Sequence, residues 1–385
     1  MKKGFTLVEM LAVFMLLALI ALIAVPAINK LREQYEEDTF IESIKGILQA
    51  AEAFHAENDY ENYPEEGLLI SDPRLNIKNA NQFLHGYVIF NEQLGKFEVR
   101  LLTNGNFCAR GSKDDLEITE GDCETNSECF VIEGSEIVKY DYSNSSCPAD
   151  VKIPRILNGN IITSIGASAF EYPEEDLMCS TDNFESTNLK DASYTPAANE
   201  ICIGKNAYYG YTEDNSLHFI VLPEKLRYIK SKAFSGTNLK MLDLSATPEF
   251  ERFDNYALLG VKNFKKVNMA TASMITSIGD FAFYKTALYD FNFRRLGYLT
   301  SIGKYAFSQT DLSTIELSST RLKEIKDYAF YKMNKNNLKL TLGNKQQLTY
   351  LGLGSFCDTQ YKVLGITRMS TNITDAHLSS ACLIY

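Results

Sequence analysis

The hydrophobic and polar positions divide the chain into an apolar beginning and a mixed remainder. From Met10 to Ile28, nineteen successive positions carry no charged side chain. A helix that rises about 1.5 Å per residue would extend roughly 28 Å over this segment, close to the thickness of the hydrocarbon core of a bilayer. The pattern therefore predicts a membrane-spanning helix.

A helical pattern continues beyond the apolar segment. After Pro26, charged residues fall largely between apolar residues that recur at spacings near three and four, namely Ile28, Leu31, Tyr35, Ile41, Ile44, Leu48 and Ala51. This periodicity predicts an amphipathic helix that leaves the membrane and ends near Asn58. Pro26 is expected to kink the helix rather than end it. We therefore predict one helix over residues 5–58, with its membrane segment at 5–28.

Glu9 is the only charge in the apolar stretch that begins at Phe5. A lone carboxylate in hydrocarbon is costly unless it finds a partner. In a secretory signal peptide a small-residue cleavage site follows the apolar core, whereas here Gly4 precedes it. Cleavage after Gly4 would remove both lysines of the N-terminus and keep the apolar segment. The new amine of Phe5 would then lie within about one helical turn of Glu9, or of Glu9 in a neighbouring copy.

Residues 2–9, which read KKGFTLVE, resemble the processing motif of the type IV prepilin family position by position. The resemblance implies a leader of residues 1–4 that a prepilin peptidase removes after Gly4. It also implies N-methylation of Phe5, and a role for Glu9 in processing and in assembly with other pilin subunits. Pro26 falls where this family often has a proline that loosens the helix. The alternative is an ordinary single-pass anchor, which leaves the charge of Glu9 unexplained.

Residues 59–127 predict a small antiparallel sheet. Three short strand-like runs, at 86–90, 96–102 and 106–110, are separated by residues typical of turns. Because this region follows the helix directly, it resembles a small pilin head packed on the apolar face of that helix.

From residue 128 onward the sequence repeats itself. The clearest copies end in Ala-Phe, and weaker copies end at Tyr208, Leu258 and Phe356. Successive copies from Tyr208 onward are separated by 26, 24, 25, 24, 23 and 26 residues. Such a period predicts a solenoid with one coil per repeat. Between the copies, the pattern Leu-x-x-Φ-x-Φ (Φ, apolar), as at Leu239/Leu242/Leu244 and Leu288/Phe291/Phe293, predicts a short strand in each coil.

The repeated Ile-Gly-x-x-Ala-Phe resembles the BspA-like leucine-rich repeat family, over residues 128 to about 370. A long step between two copies predicts an insertion at about 171–200, and the fading pattern predicts a C-terminal cap at about 367–385. The expected fold is α+β. It has a long transmembrane and amphipathic helix, a small antiparallel pilin-like head, and a leucine-rich-repeat β-solenoid over 128–385.

Two sets of apolar residues in the repeats invite a functional interpretation. Phe219, Val221 and Met241 occupy strand positions that should point outward, so we expect an exposed apolar patch. This patch either binds a partner or packs under the insertion. An aromatic column precedes each repeated Ala; it either packs coil against coil or forms a ligand ladder, and it comprises Tyr256, Phe281, Tyr305 and Tyr328.

All eight cysteines follow the membrane segment. An even number on one side of a membrane anchor predicts disulfides in an oxidising compartment. Eight cysteines allow 105 pairings, and our hypothesis joins sequence neighbours: Cys108–Cys123, Cys129–Cys147, Cys179–Cys202 and Cys357–Cys382. No Cys-x-x-Cys occurs and the four histidines are far apart, so we predict no metal site.

The net charge of −11 argues against nucleic acid as a partner, since such a surface repels phosphate backbones. The carboxylates are not grouped with a nucleophile, a histidine or a glycine-rich loop. We therefore expect no catalytic residues and no cofactor.

These features predict a pilin-like surface protein whose repeat domain serves in adhesion, or in recognition of an extracellular protein or glycan. The precursor is expected to cross the cytoplasmic membrane once, with Lys2 and Lys3 on the cytoplasmic side and the later domains outside. The bulky repeat domain favours a minor subunit at a filament tip. Alternatives are a pseudopilin of a type II secretion or DNA-uptake machine, a non-filamentous membrane-anchored repeat protein, and a surface hydrolase in the insertion.

Overall fold

A computed structural model describes residues 7–57, 64, 66–77, 83, 85–171, 216–269, 273–333, 338–359, 361–369 and 371–383. The chain divides into two compact units, Met1–Cys123 and Glu124–Tyr385. Each unit has a hydrophobic core of its own.

One long helix, α1 (Leu7–Glu57), opens the first unit and continues through Pro26. It confirms the long helix expected from the periodicity. Residues Phe40, Ile44, Leu48 and Ala51 recur at spacings of three and four, and all four are buried. One face of the C-terminal half of α1 therefore belongs to the core of this unit.

The other side of this core is an antiparallel sheet, as expected. Within the described residues it has five strands in chain order: β1 (Leu68–Leu69), β2 (His85–Asn91), β3 (Lys96–Thr103), β4 (Phe107–Ser112) and β5 (Leu116–Glu120). The sequence indicated the three central strands but not β1 and β5. The ring of Phe40 on α1 lies 5.9 Å from the rings of both Phe83 and Phe107, so aromatic packing joins helix and sheet.

Asparagines shape the two central hairpins of the sheet. Between β2 and β3, Oδ1 of Asn91 accepts hydrogen bonds from the backbone N–H groups of Gln93 and Leu94. Between β3 and β4, Oδ1 of Asn104 does the same for Asn106 and Phe107. Such side-chain bonds hold a turn closed in place of a ladder bond.

The second unit is a stack of coils with a strand on each of two walls. Its strands are β6 (Phe130–Glu133), β7 (Glu136–Tyr140), β8 (Asp150–Lys152), β9 (Ile156–Leu157), β10 (Asn160–Ile161), β11 (Ser164–Ile165), β12 (Phe219–Val221), β13 (Tyr228–Ile229), β14 (Met241–Leu244), β15 (Arg252–Phe253), β16 (Lys266–Met269), β17 (Ser277–Ile278), β18 (Asp290–Phe291), β19 (Ser301–Ile302), β20 (Thr314–Glu316), β21 (Glu324–Ile325), β22 (Leu338–Lys345), β23 (Tyr350–Leu351) and β24 (Tyr361–Met369). A short helix, α2 (Asp375–Ser380), follows the last strand. The expected β-solenoid is thus confirmed.

The first wall, which we call the inner sheet, is continuous. In the described residues it has nine strands in the order β6-β7-β11-β13-β15-β17-β19-β21-β23, parallel from β7 onward. The second wall, which we call the strand face, consists of separate sheets: β8-β12, β14-β16-β18 and β20-β22-β24. The strand face follows the Leu-x-x-Φ-x-Φ pattern. The two-residue strands of the inner sheet, from β11 to β23, each end in an apolar residue, such as Ile302 of the Ser301–Ile302 strand.

Stacked phenylalanines fill the space between the walls. The rings of Phe283, Phe307, Phe330 and Phe356 follow one another at centroid distances of 5.2, 5.3 and 5.2 Å. Each is fully buried, and burial of such a side chain contributes about 1.5–3 kcal/mol. The repeated Phe is therefore the centre of each coil's core.

The tight corner of each coil explains the repeated Gly. A β-carbon on Gly303 would lie 2.4 Å from the backbone nitrogen of Asp280 in the preceding coil. The N–H of Gly303 meanwhile donates to the carbonyl oxygen of Ile278 at 2.8 Å. Glycine thus permits two backbones to approach closely while one bonds the other.

A left-handed residue also recurs at this corner. It directly precedes the repeated Ala, or Ser355 in the last coil, with φ between 52° and 64°, at Ser168, Lys232, Tyr256, Phe281, Tyr305, Tyr328 and Gly354. The corner therefore imposes a conformation that costs most residues free energy.

The C-terminal segment covers the last coil. The N–H of Gly354 donates to the carbonyl oxygen of Ser380 at 2.9 Å, and that of Phe356 to Ala381 at 3.1 Å. A disulfide, Cys357–Cys382, joins the same two segments. Backbone groups that a further coil would have bonded are thereby satisfied.

Three of the four expected disulfide pairs are present: Cys108–Cys123, Cys129–Cys147 and Cys357–Cys382. The fourth, Cys179–Cys202, lies outside the described residues. So does the expected insertion at about 171–200, apart from Glu171.

Candidate assembly helix and recognition face

The expected processing site lies at the beginning of the chain. Gly4 and Phe5 are outside the described residues, and of Glu9 the structure describes only the backbone, within α1. The roles expected of these three residues therefore stay predictions, and so does the kink at Pro26.

The rest of α1 changes character along its length. Leu11, Phe14 and Leu22 expose their side chains in the apolar half, and Tyr35 still does so beyond it. From Phe40 onward the apolar face is buried in the first unit. In the described part of the chain, α1 alone is long and apolar enough to cross a membrane. An uncovered apolar rod of this length needs lipid or other helices around it.

The strand face of the second unit is polar over its middle coils. Outward side chains of neighbouring strands bond one another there: Nδ2 of Asn268 donates to Oδ1 of Asp243 at 2.8 Å, and Nζ of Lys266 lies 3.2 Å from Asp290. This is a solvated surface with hydrogen-bonding groups at regular spacing.

The apolar patch expected at one end of this face is buried, so the prediction that it is exposed is wrong. Phe219, Val221 and Met241 are only 3, 6 and 2% exposed. Successive side chains of a strand point to opposite faces of the sheet, and one set is exposed only where one of these faces is open to solvent. Here β12 is buried on both sides, and outward-pointing Lys152 on the neighbouring strand β8 is buried as well. The idea that the patch packs under the insertion concerns residues outside the described ones.

The aromatic column at the corner of the coils is a stack. The rings of Tyr256, Phe281, Tyr305 and Tyr328 follow one another at 5.3, 5.0 and 4.9 Å, with interplanar angles of 13, 20 and 11°. Burial raises the pKa of the Tyr305 hydroxyl above its usual range. Because Phe281 and Tyr305 each stack between two other rings, the geometry supports packing between coils rather than a ligand ladder.

The strand face is interrupted between β18 and β20. The sequence pattern places a strand through Phe293, but β18 ends at Phe291, and a 3-10 helix (Phe293–Arg295) follows. The side chain of Asn292 accepts a hydrogen bond from the N–H of Arg294 at 3.1 Å and so begins this turn. Phe293 remains buried. The predicted strand is therefore wrong at its C-terminal end, although the burial that it predicted is right.

A cavity of about 340 Å³ opens at this interruption. Its polar lining includes Asp290, Asn292, Arg294, Thr314 and Glu316, and Tyr289 lies beside them. These residues were not among the candidate site residues predicted from the sequence. Asn292, a residue type that favours turns, was the local signal that the strand would stop.

Glu316 is the best-anchored charge of the cavity. Its Oε1 accepts a hydrogen bond from the N–H of Ser318 at 3.2 Å, and its Oε2 lies 3.7 Å from the guanidinium of Arg294. Burial opposes ionisation, but the hydrogen bonds from Ser318 and Thr341 and the charge of Arg294 lower the pKa of Glu316 overall. The carboxylate is therefore ionised and fixed in place at neutral pH.

A buried lysine lies behind this carboxylate. Lys345 is 1% exposed, and its Nζ lies 3.4 Å from the carbonyl oxygens of Thr320 and Asn344. Burial lowers the pKa of Lys345 to about 8, although the charge of Glu316 acts in the opposite direction. No pattern in the sequence indicates that this residue is buried.

The first unit holds a larger cavity of about 530 Å³ beside the C-terminal turns of α1. The buried ring of His55 packs there at 4.9 Å from Phe90 and 5.4 Å from Phe97. At its rim, Lys96 and Asp114 form an ion pair of 2.6 Å. Over the described residues, no group of three His, Cys, Asp or Glu side chains is placed to hold a metal ion.

Comparison with known families decides the class of the second unit. The profile described as "BspA type Leucine rich repeat region (6 copies)" matches residues 178–297 and 276–384, more than half of the chain. The chain belongs to the BspA-type leucine-rich repeat family. A second profile, "Prokaryotic N-terminal methylation motif", matches residues 1–25. No curated protein matches the chain.

The two matches fall on the two parts of the chain that the sequence distinguished. The methylation motif covers the expected leader and most of the apolar segment, and it implies processing by a prepilin peptidase and assembly with other pilins. The BspA-type repeats cover the solenoid from residue 178 to residue 384. The chain is thus a type IV pilin-like surface protein that carries a leucine-rich repeat domain, and neither matched family is a catalytic one.

Proposed function

We propose that this protein is a minor, tip-located subunit of a type IV pilus-type filament, and that its BspA-type domain serves in adhesion. The observation that carries the proposal is the division of α1. Its apolar half is uncovered in the chain by itself, whereas the half from Phe40 onward packs into the first unit. The uncovered half is available first to the membrane and then to the helices of other subunits.

The size of the repeat domain supports a minor position. The unit Glu124–Tyr385 forms about two thirds of the chain. A filament with this unit on every subunit would have to accommodate it at every helical position, whereas a tip has room for one copy. Disulfides in the second unit support a location outside the cytoplasm, since they persist in oxidising compartments.

The domain acts by binding rather than by catalysis in this proposal. Its strand face offers polar groups in register and a cavity, which suits recognition of an extracellular protein or glycan. The acidic balance of the chain disfavours nucleic acid.

Two measurements test the proposal. Mass spectrometry of the mature protein should find methylated Phe5 as the first residue, and Glu9→Ala should lower recovery in sheared filaments at least tenfold. Glu33→Ala, the same change on the exposed part of α1, is the matched control and should leave recovery unchanged. A mature protein that retains Met1–Gly4 would contradict filament assembly.

Immunogold labelling of purified filaments distinguishes a subunit at the tip from a subunit along the shaft. Label at filament ends supports a tip subunit, and label along the shaft contradicts it. Recovery only with membranes would instead favour a pseudopilin or a static anchor.

A further inference from the structure

The cavity on the strand face is a consequence of a broken ladder. The sheet β14-β16-β18 ends at β18, and the sheet β20-β22-β24 begins at β20, with no pairing between them among the described strands. The 3-10 helix at Phe293–Arg295 takes the place of the strand that would have joined them. The strand face therefore has a recess where a flat surface would otherwise continue.

The polar groups at the recess differ in how firmly they are held. The side chain of Glu316 is 16% exposed and anchored by Ser318, whereas that of Arg294 is 73% exposed and lies 3.7 Å from it. On the other side, the carboxylate of Asp290 lies 3.2 Å from Nζ of Lys266. An anchored acceptor, an exposed donor that can bond at two positions and a second carboxylate thus surround one opening.

An aromatic side chain and a hydroxyl complete the lining. Tyr289 is 41% exposed at the edge of the cavity, and Thr314 is exposed on β20. Tyrosine combines a flat apolar ring with a hydroxyl group. Carboxylates accept hydrogen bonds at two oxygens, and arginine donates from a planar fork.

This combination matches the surface of a sugar. A pyranose presents C–H groups on one face, which pack on an aromatic ring, and neighbouring hydroxyls at its rim, which planar carboxylate and guanidinium groups bridge. Asp290 lies beside Lys266 and Glu316 lies beside Arg294, so the charges at the recess balance and give a sulfated, phosphorylated or carboxylated ligand no net attraction. A volume of about 340 Å³ is at the small end of the range for ligand pockets, which suits one or two sugar units.

We propose that the recess between β18 and β20 binds an uncharged glycan, with Tyr289 under a sugar ring and with Asp290, Arg294 and Glu316 on its hydroxyls. This inference rests on the proposed function, because it names the partner class of the recognition domain.

The test uses the full-length chain in detergent micelles. The probes are immobilised lactose, N-acetyllactosamine, maltose and cellobiose, together with sialyllactose, sulfated lactose and an acidic and a basic decapeptide. We expect binding to at least one of the four uncharged disaccharides and a clear preference for it over the charged probes. Binding to none of the four, or stronger binding to a charged sugar or a peptide, would overturn the proposal.

Variants tie the binding to the recess. Arg294→Ala and Tyr289→Ala should each weaken binding of the preferred disaccharide at least tenfold. Matched controls are Arg155→Ala, an exposed arginine at the other end of the domain, and Tyr350→Ala, a tyrosine of similar exposure on the inner sheet. Both controls should bind as the unaltered chain does. If neither Arg294→Ala nor Tyr289→Ala weakens binding while the melting temperature is unchanged, the recess is not the site.

The failure of this proposal and that of the proposed function are distinguishable. Filaments that carry the protein at their tip but adhere only through peptide receptors would refute the glycan site and leave the tip function standing. Disaccharide binding by a protein never found in filaments would do the reverse.

Discussion

The ring of Tyr328 ends its aromatic stack against Gly354. A β-carbon on Gly354 would lie only 2.4 Å from Cε1 of Tyr328, and Gly354 itself has φ +62°. Gly354 occupies the position that holds Tyr328 one coil earlier, so the stack stops where the side chain disappears.

We expect Gly354→Ala to lower the free energy of unfolding by about 1–3 kcal/mol, since it adds both a left-handed strain and an overlap with the ring. Urea unfolding of the full-length chain in detergent micelles measures the change. Gly297→Ala is the matched control: a β-carbon there meets nothing within 4 Å and φ is not left-handed, so stability should hold or rise slightly. Equal effects of the two changes would show that Tyr328 is not the reason for the glycine.

Removing the backbone strain at another corner position, Lys332, should stabilise the protein. Lys332 is exposed and has φ 52°, whereas Gly236 and Gly260 occupy the corresponding position in earlier coils. We expect Lys332→Gly to raise the free energy of unfolding by about 0.5–1 kcal/mol, because glycine adopts this conformation without the penalty. Gly260→Ala should have the opposite sign. Thermal unfolding of both variants decides, and a loss of stability in Lys332→Gly would refute the expectation.

The buried Lys345 should make stability depend on alkaline pH. Its folded pKa, about 8, is below the ordinary value of 10.5, so between these values the folded state binds fewer protons than the unfolded state. Stability contributed by this residue therefore rises with pH across that window, and below pH 8 the full cost of the buried charge applies.

Lys345→Met should accordingly stabilise the protein at pH 7 by about 1–3 kcal/mol, with a gain that shrinks as the pH approaches 10.5. Urea unfolding at pH 7 and pH 10 of variant and unaltered chain gives the difference. Lys339→Met, on the exposed side of the same strand, should change stability by less than about 0.5 kcal/mol at either pH. A gain for Lys345→Met that is the same at both pH values would argue against a buried charge.

The disulfide Cys357–Cys382 should matter for the C-terminal segment. It closes a loop of 25 residues, and in the chain-entropy model its removal costs about 3 kcal/mol. With Cys357→Ser and Cys382→Ser combined, we expect faster proteolytic cleavage within residues 371–383. The pair Cys108→Ser and Cys123→Ser, in the first unit, is the control and should leave that cleavage rate unchanged. Unaltered cleavage in the first double variant would mean that the hydrogen bonds of α2 suffice.

The periodic parts of the structure could be predicted from the sequence. A helix with buried residues every three or four positions and coils with a period near 24 leave a signal in every repeat, so α1 and the β-solenoid were both expected. The inner sheet left no such signal. Its strands in the middle coils, such as Ser301–Ile302, are two residues long, and alternation cannot show in two residues.

The candidate site could be predicted only in part. Phe293 is buried in the 3-10 helix just as it would be in a strand. The apolar pattern therefore could not distinguish the two, and the recess beside Phe293 could not be predicted from the sequence. Phe219 and Met241 were expected in solvent because alternation assumes one open face, and β12 has none. Lys345 was passed over because lysine is rarely fully buried. For Lys345 the deciding contact is with the preceding coil, where the carbonyl oxygen of Thr320 lies 3.4 Å from its Nζ.

The uniform register between coils has a consequence for the history of the domain. In the inner sheet, neighbouring strands from β11 to β23 pair in parallel through two residues each, so duplication or loss of one whole repeat would preserve the ladder of this sheet. Each added coil would lengthen the domain by about 4.8 Å, the spacing of adjacent strands. Relatives with longer or shorter arrays would then differ in reach by whole steps, while the closing C-terminal segment is reused unchanged.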